Sequence, residues 1–407
     1  MVSFRRSALL ARDISLSQRL DHSCIFLASL IPIGVMVGPV IYDGFLSLVV
    51  LLWLTRLAIS RDGVVLGASG RAVLIPYLAW YGAIVLSLLV NVAPSLDAWG
   101  HDIGFVRFLL FIVALVDISG RHNVVRPLIF GLLAFVLYAW FNYLMVVTMG
   151  HDLAGKEIFY YQDNQKIASR IASVGQFAAT FFACWALNDR DLSGRKKISL
   201  WVFAIAVLLL IFVVGSRTAV ISSASGLFCA FLFWGRRKIV VHGLAGAGLG
   251  LAIVAVLHFI FNDNQLDIRL NTLYHRLDIW RVSIHIWLDR PIFGTSVAEF
   301  KAVFEQVTAS TDIFATGQRF CQLITTDKAY HAHNLVIQLL TATGLVGYLT
   351  FCWLFVAACR AIVSDFRGWR VGLLVWPVVM LVEGLTGHDI YASDYQPLVA
   401  YFLVLII

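Results

Sequence analysis

Apolar runs of near-constant length, separated by short basic or polar breaks, repeat along almost the whole chain. Ser23–Ile41, Leu128–Thr148, Ile198–Gly215 and Ile239–Phe261 are examples, each close to the roughly 20 residues that cross a bilayer as a helix. Hydropathy predicts about 12 such spans. They begin near Ser23, Gly44, Val73, Phe105, Leu128, Ala172, Ile198, Thr218, Ile239, Asn334, Val371 and Pro397. The first run is followed at once by a second, so it reads as a retained span and not as a cleaved leader. Two polar interruptions are too long for simple turns: Met149–Arg170 and Asn262–Ala332. The expectation is an all-α polytopic membrane protein with a large outer helical segment. Its parts are a membrane domain over residues 1–261 (nine spans), the outer segment over 262–332, and a second membrane domain over 333–407.

Composition agrees. The 407 residues are 60% hydrophobic and 14% charged, against about a quarter charged in soluble domains. The net charge of +7 follows from topology. With the N-terminus in the cytoplasm, 19 of the 31 Lys and Arg fall on inside segments, and seven of the other 12 lie in the long segment 262–332. Long segments weigh little in the positive-inside rule. Both termini are therefore expected inside, both interruptions outside, and the partner for the basic charge is the lipid bilayer, with no nucleic acid required. The outer face of such a chain is a bacterial periplasm, beyond the inner membrane. That compartment holds no nucleotide pool, so chemistry there draws on substrates already activated on a lipid carrier. The six cysteines are scattered, without metal-ligand spacing.

The outer segment carries "DIRLNTLYHRLDIWRVSIHIWLDRPIFG", in which Leu270, Leu273, Leu277, Trp280, Ile284 and Trp287 recur at three and four residues. That period predicts an amphipathic helix on or near the membrane, ended by Pro291 and Gly294. Arg269 and Arg276, seven apart, share a face. Arg281 points elsewhere, with Asp278 and His285 within one turn. A headgroup-binding interfacial helix accounts for all three by spacing alone. Arg217, in "FVVGSRTAV", sits between two spans with no acidic neighbour in sequence. A functional cation and one that snorkels to the interface both fit it.

Of the 11 histidines, His22, His101, His122, His151, His242, His258 and His388 have no companion motif and read as structural or solvated. His275 and His285 belong to the outer helix. His331 and His333 stand two apart, with no third ligand following, so no metal site is expected. A histidine at the outer mouth of a span titrates near working pH and suits a general base, kept neutral by nearby arginines. Asn334 reads as the N-cap of the next helix, and Gly344 and Gly347 as positions where a neighbouring helix approaches closely.

Three pieces, in order, resemble the O-antigen ligase and polymerase superfamily: Ser216-Arg217; Arg276, Trp280, Pro291 and Gly294; and His333-Asn334 followed by Gly344-Leu-Val-Gly347. The similarity runs from about residue 215 to 350, and the first 200 residues match only in being polytopic. The family block often has a second glycine soon after the position of Gly294; here Thr295-Ser296 stands there, a difference expected to touch loop shape more than chemistry. The resemblance implies a C-type glycosyltransferase architecture and a ligase moving glycan from undecaprenyl diphosphate to a sugar hydroxyl of lipid A–core. It implies inversion, with no cofactor and no metal. In that scheme His333, Arg217 and Arg276 are catalytic, and Arg217, Arg276, Arg269, Trp280, His331 and Asn334 contact substrate. A polymerase of lipid-linked repeat units is the alternative within the superfamily, and a lipid-glycan flippase the alternative outside it.

Overall fold

A backbone inside a bilayer must satisfy its own hydrogen bonds, so apolar runs of this length become helices. The computed structural model describes residues 15–61, 63–91, 95–149, 161–214, 216–233, 266–310, 331–364, 368–386, 390–391 and 395–407; among these every regular element is helical. In chain order they are α1 (Leu16–Ser29), α2 (Ile31–Val37), α3 (Pro39–Ser60), α4 (Ala68–Val90), α5 (Leu96–Gly104), α6 (Val106–Ser119), α7 (Val125–Met149) and α8 (Tyr161–Asn188). Next come α9 (Gly194–Val213), α10 (Arg217–Phe233), α11 (Leu266–Asp289), α12 (Phe300–Ser310) and α13 (Leu335–Ser364). A 3-10 segment (Gly368–Leu374), α14 (Val375–Thr386) and α15 (Gln396–Ile406) complete the order.

Every expected span start falls on a helix or its cap, except Ile239, which lies outside the described residues. Among the described residues, seven helical stretches are long and apolar enough to cross, or eight if α1 and α2, bent by 47°, act as one. At 14 and 11 residues, α6 and α15 are shorter than a bilayer requires. The chain is a multi-pass membrane protein in which short helices are sheltered by full-length ones. α15 shows why this is possible: every residue from Gln396 to Ile406 is buried in protein.

The centre is α8, with 83% of its Ser169–Asn188 stretch buried under α9, α10, α14 and the 3-10 segment. Peripheral helices turn Leu51, Phe130, Leu137, Val202 and Leu349 outward, as lipid-facing residues must. α4 lies along α13, joining the N-terminal half to the segment that carries the histidines.

The outer helix forms as expected and ends at Asp289, just before Pro291. Its buried stripe differs from the expected one. Ile279, Val282 and Ile286 pack on Phe300 and Phe304 of α12 and on Ala332, making a small core separate from the main one. Ile284 and Leu288 are 42% and 61% exposed. The β-branched stripe packs inward, while of the expected stripe Leu277, Trp280 and Trp287 are half-buried and Ile284 is exposed; Leu270 and Leu273 lie outside the residues whose side chains are described.

Candidate active site

The site is built on a helix that is broken inside its own length. At Gly344, φ is 65° and ψ is −166°, which interrupts α13. In an unbroken helix the N–H groups of Leu345 and Val346 would donate to the carbonyls of Thr341 and Ala342. Instead they donate to Pro291 O (2.9 Å) and Ile292 O (3.1 Å), while Thr341 O and Ala342 O accept from Thr295 N (2.9 Å) and Ser296 N (2.8 Å). The turn after α11 thus satisfies all four groups that the break exposes. The fit leaves no room for side chains at the two glycines. A Cβ on Gly344 would lie 2.2 Å from Ile292 O, and one on Gly294 (φ 68°) would lie 2.6 Å from Thr341 O. The expected close approach at Gly344 therefore occurs, but to a loop and not to a helix. At Gly347 the neighbour is Thr343 of the same helix, whose Oγ1 a Cβ would meet at 1.9 Å.

Ser296 explains the missing second glycine. Its φ is +77°, a left-handed conformation that glycine adopts without strain. Its hydroxyl donates to Asp102 Oδ2 at 2.8 Å, and the next two N–H groups, of Val297 and Ala298, donate to the same carboxylate at 3.2 and 3.1 Å. Serine trades backbone ease for a hydrogen bond to a fully buried acid. Ser87 and Asn91, at the end of α4, add to this clamp. Ser87 Oγ donates to Ala342 O and accepts from Ser296 N, both at 2.9 Å. Asn91 donates to Gly294 O at 3.3 Å and accepts from Arg290.

The histidine loop lies one short helical segment before the break. Asn334 is the N-cap: its Oδ1 accepts from Val336 N (3.0 Å) and Ile337 N (3.2 Å). Between the histidines, Ala332 is held at both backbone groups. Its N–H donates to Gln338 Oε1 at 2.7 Å, and its carbonyl accepts from Trp280 Nε1 at 2.8 Å. Its methyl is buried in the α11–α12 core. His333 has φ +52°, an uncommon conformation outside glycine that costs on the order of 1 kcal/mol and collects at functional sites. His331 Nε2 and His333 Nδ1 are 3.1 Å apart, with ring centroids at 4.0 Å.

Arg276 is half-buried on α11, one turn before Trp280, and burial lowers its pKa. A guanidinium in this position stays charged but has lost part of its hydration, which favours an anionic partner. Burial also pushes the neighbouring His275 down, against the pull of Asp278 and helped by Arg276, so His275 adds no charge near pH 7. Arg217 is the first residue of α10 and Arg269 lies in the first turn of α11; both side chains lie outside the described residues, as does Cys321. The described residues contain no group of three His, Cys, Asp or Glu side chains placed to hold a metal ion. The structure brings His331, His333, Asn334 and Trp280 together. The sequence reading missed Gln338, Ser87, Asn91 and Asp102, which support the loop and the break.

Compared with known families, residues 201–352 match the family model described as O-antigen ligase. That span contains the break in α13, the turn it grips, the histidine loop, Arg217 and Arg276. Among curated proteins, none matches the chain.

Proposed function

We propose that this chain, which carries an O-antigen ligase family domain, joins a lipid-linked glycan to a sugar hydroxyl of lipid A–core, taking the glycan from undecaprenyl diphosphate at the periplasmic face. The observation that carries the reading is the His331–His333 pair on a loop clamped from three sides. A base needs a free lone pair. If His333 Nδ1 holds its proton and donates to His331 Nε2, the outer nitrogen of His333 is the acceptor. His331 then orients the ring and stabilises the imidazolium, a task often given to a carboxylate. The acceptor hydroxyl attacks the anomeric carbon while His333 Nε2 takes its proton. The bond from that carbon to the phosphate oxygen breaks on the opposite face, and the centre inverts. Arg217 and Arg276 hold the departing diphosphate, each with two parallel charge-assisted hydrogen bonds. Arg269 extends this patch, and Trp280 and Asn334 frame the acceptor side. The two guanidiniums offset the negative charge developing on the diphosphate, so the proposed step needs no bound metal.

Two expected results test these roles. Arg217→Ala and Arg276→Ala weaken lipid-diphosphate affinity as well as turnover, and Lys at either position restores little because the planar fork is lost. Arg281→Ala costs far less. Affinity and single-turnover rate on purified variants measure this; a larger penalty at Arg281 than at Arg276 contradicts the assignment. Second, His331→Ala lowers turnover about 10²-fold without weakening donor binding, and His331→Gln, which keeps an acceptor, recovers part of it. Equal rates for His331→Gln and His331→Ala remove the dyad from the mechanism.

A further inference from the structure

The end of the molecule far from the histidines carries a second site. α13 starts beside His333, breaks at Gly344 and continues through Ser364; its second part alone, Leu345–Ser364, is about 30 Å long at 1.5 Å per residue. Gly368 and Trp369 follow its far end and therefore mark the opposite membrane face. α7 and α9 both start at that face, and between them opens a cavity of about 850 Å³. Phe130 and Leu133 of α7 and Leu200 and Phe203 of α9 form its walls, with Trp185 and Trp369 near the mouth. Deeper in the protein the groove closes where Trp140 Nε1 of α7 donates to Ala206 O of α9 at 3.0 Å.

The mouth is basic. Arg126, Arg195 and Lys196 line it, all exposed, and the only carboxylate among the lining residues is Asp189. That carboxylate is already committed: it accepts from Trp185 Nε1 at 2.9 Å and from Asp191 N at 3.0 Å. The three cations form no salt bridge among the described residues. An apolar slot opening beside lipid-facing residues such as Phe130 (67% exposed), topped by three cations and two indoles, has the chemistry of an amphiphile with an anionic head. We infer that this groove binds one anionic glycerophospholipid, its phosphate against Arg126, Arg195 and Lys196 and an acyl chain between α7 and α9. A soluble anion would not use the walls, and a zwitterionic lipid would leave the excess of cations unmatched. The inference does not depend on the glycan chemistry at the other face.

The test is native mass spectrometry of the full chain in detergent, titrated with phosphatidylglycerol, phosphatidylcholine or glycerol phosphate. The expected result is one retained phosphatidylglycerol, displaced by neither of the others. The Arg126→Gln/Arg195→Gln/Lys196→Gln variant should bind it roughly 10- to 100-fold more weakly, while Arg71→Gln, away from the groove, changes nothing. Leu133→Trp, which fills the slot and leaves the cations, should also reduce retention. Undiminished binding by the triple variant, equal binding of phosphatidylcholine, or competition by glycerol phosphate at matched concentration overturns the proposal. The last of these outcomes would mean an anion site without a lipid.

Discussion

Replacing His333 by Ala is expected to abolish glycan transfer while leaving the donor bound. The reason is position and timing. In the proposed mechanism His333 acts on the acceptor hydroxyl as the new bond forms, so its loss raises the barrier without touching the grip on the diphosphate. Loss of a general base typically costs about 10² to 10⁴ in rate. The loop should survive the change, because Asn334, Gln338 and Trp280 hold it through the helix cap and the backbone of Ala332, none of which needs the imidazole. Removing the side chain leaves the left-handed backbone at His333, with φ +52°, no easier to adopt. His333→Asn is therefore the useful companion variant, since Asn tolerates that conformation and lacks a base. Both variants should be equally inactive in single-turnover assays and equally able to bind lipid-linked glycan. A His333→Asn enzyme at near-normal rate would show that the base lies elsewhere.

Gly344→Ala is expected to destabilise the protein strongly. The new Cβ would sit 2.2 Å from Ile292 O and 2.3 Å from its carbonyl carbon, contacts with backbone that no rotamer relieves. Overpacking of this kind costs about 1–3 kcal/mol, and a side chain at φ 65° and ψ −166°, a region essentially reserved for glycine, adds roughly 1–3 kcal/mol. Four backbone hydrogen bonds cross at the same point, and each group left unpaired in a dry interior is a further loss. Thermal unfolding in detergent, together with the yield of monodisperse protein, reads the effect. Gly82→Ala is the control, because nothing lies within 4 Å of its added methyl and it stands in the middle of α4. The expected result is a large drop for Gly344→Ala and none for Gly82→Ala. Equal unfolding temperatures would mean that the break in α13 can heal or move.

The parts of this molecule that the sequence exposes are those governed by local rules. Span positions follow from hydropathy, because each apolar run closes its own helical hydrogen bonds. The cap at Asn334 and the stop at Pro291 are likewise local, and both stand where expected. What the pattern hides is long-range. Ser87 reaches a carbonyl 255 positions away, and Asp102 a hydroxyl 194 positions away, across a stretch of chain with no periodic sign of either contact. Gly344 could be read as a close approach but not as a break, since a glycine inside an apolar run looks the same in both cases. Ser296 shows the opposite failure: a residue type with no left-handed preference takes that conformation because a buried carboxylate holds its hydroxyl. Hydropathy does not distinguish a helix buried in lipid from one buried in protein: α15 is as apolar as a span yet lies wholly inside the fold.

The central claim is glycan transfer by the chain itself. Purified protein, reconstituted with undecaprenyl-diphosphate-linked glycan and lipid A–core, without nucleotide and with EDTA present, should yield the joined lipopolysaccharide with an inverted anomeric linkage. Glycan-to-glycan joining with lipid A–core ignored would make the chain a polymerase, and a requirement for a divalent ion or the absence of any joined product would contradict the account.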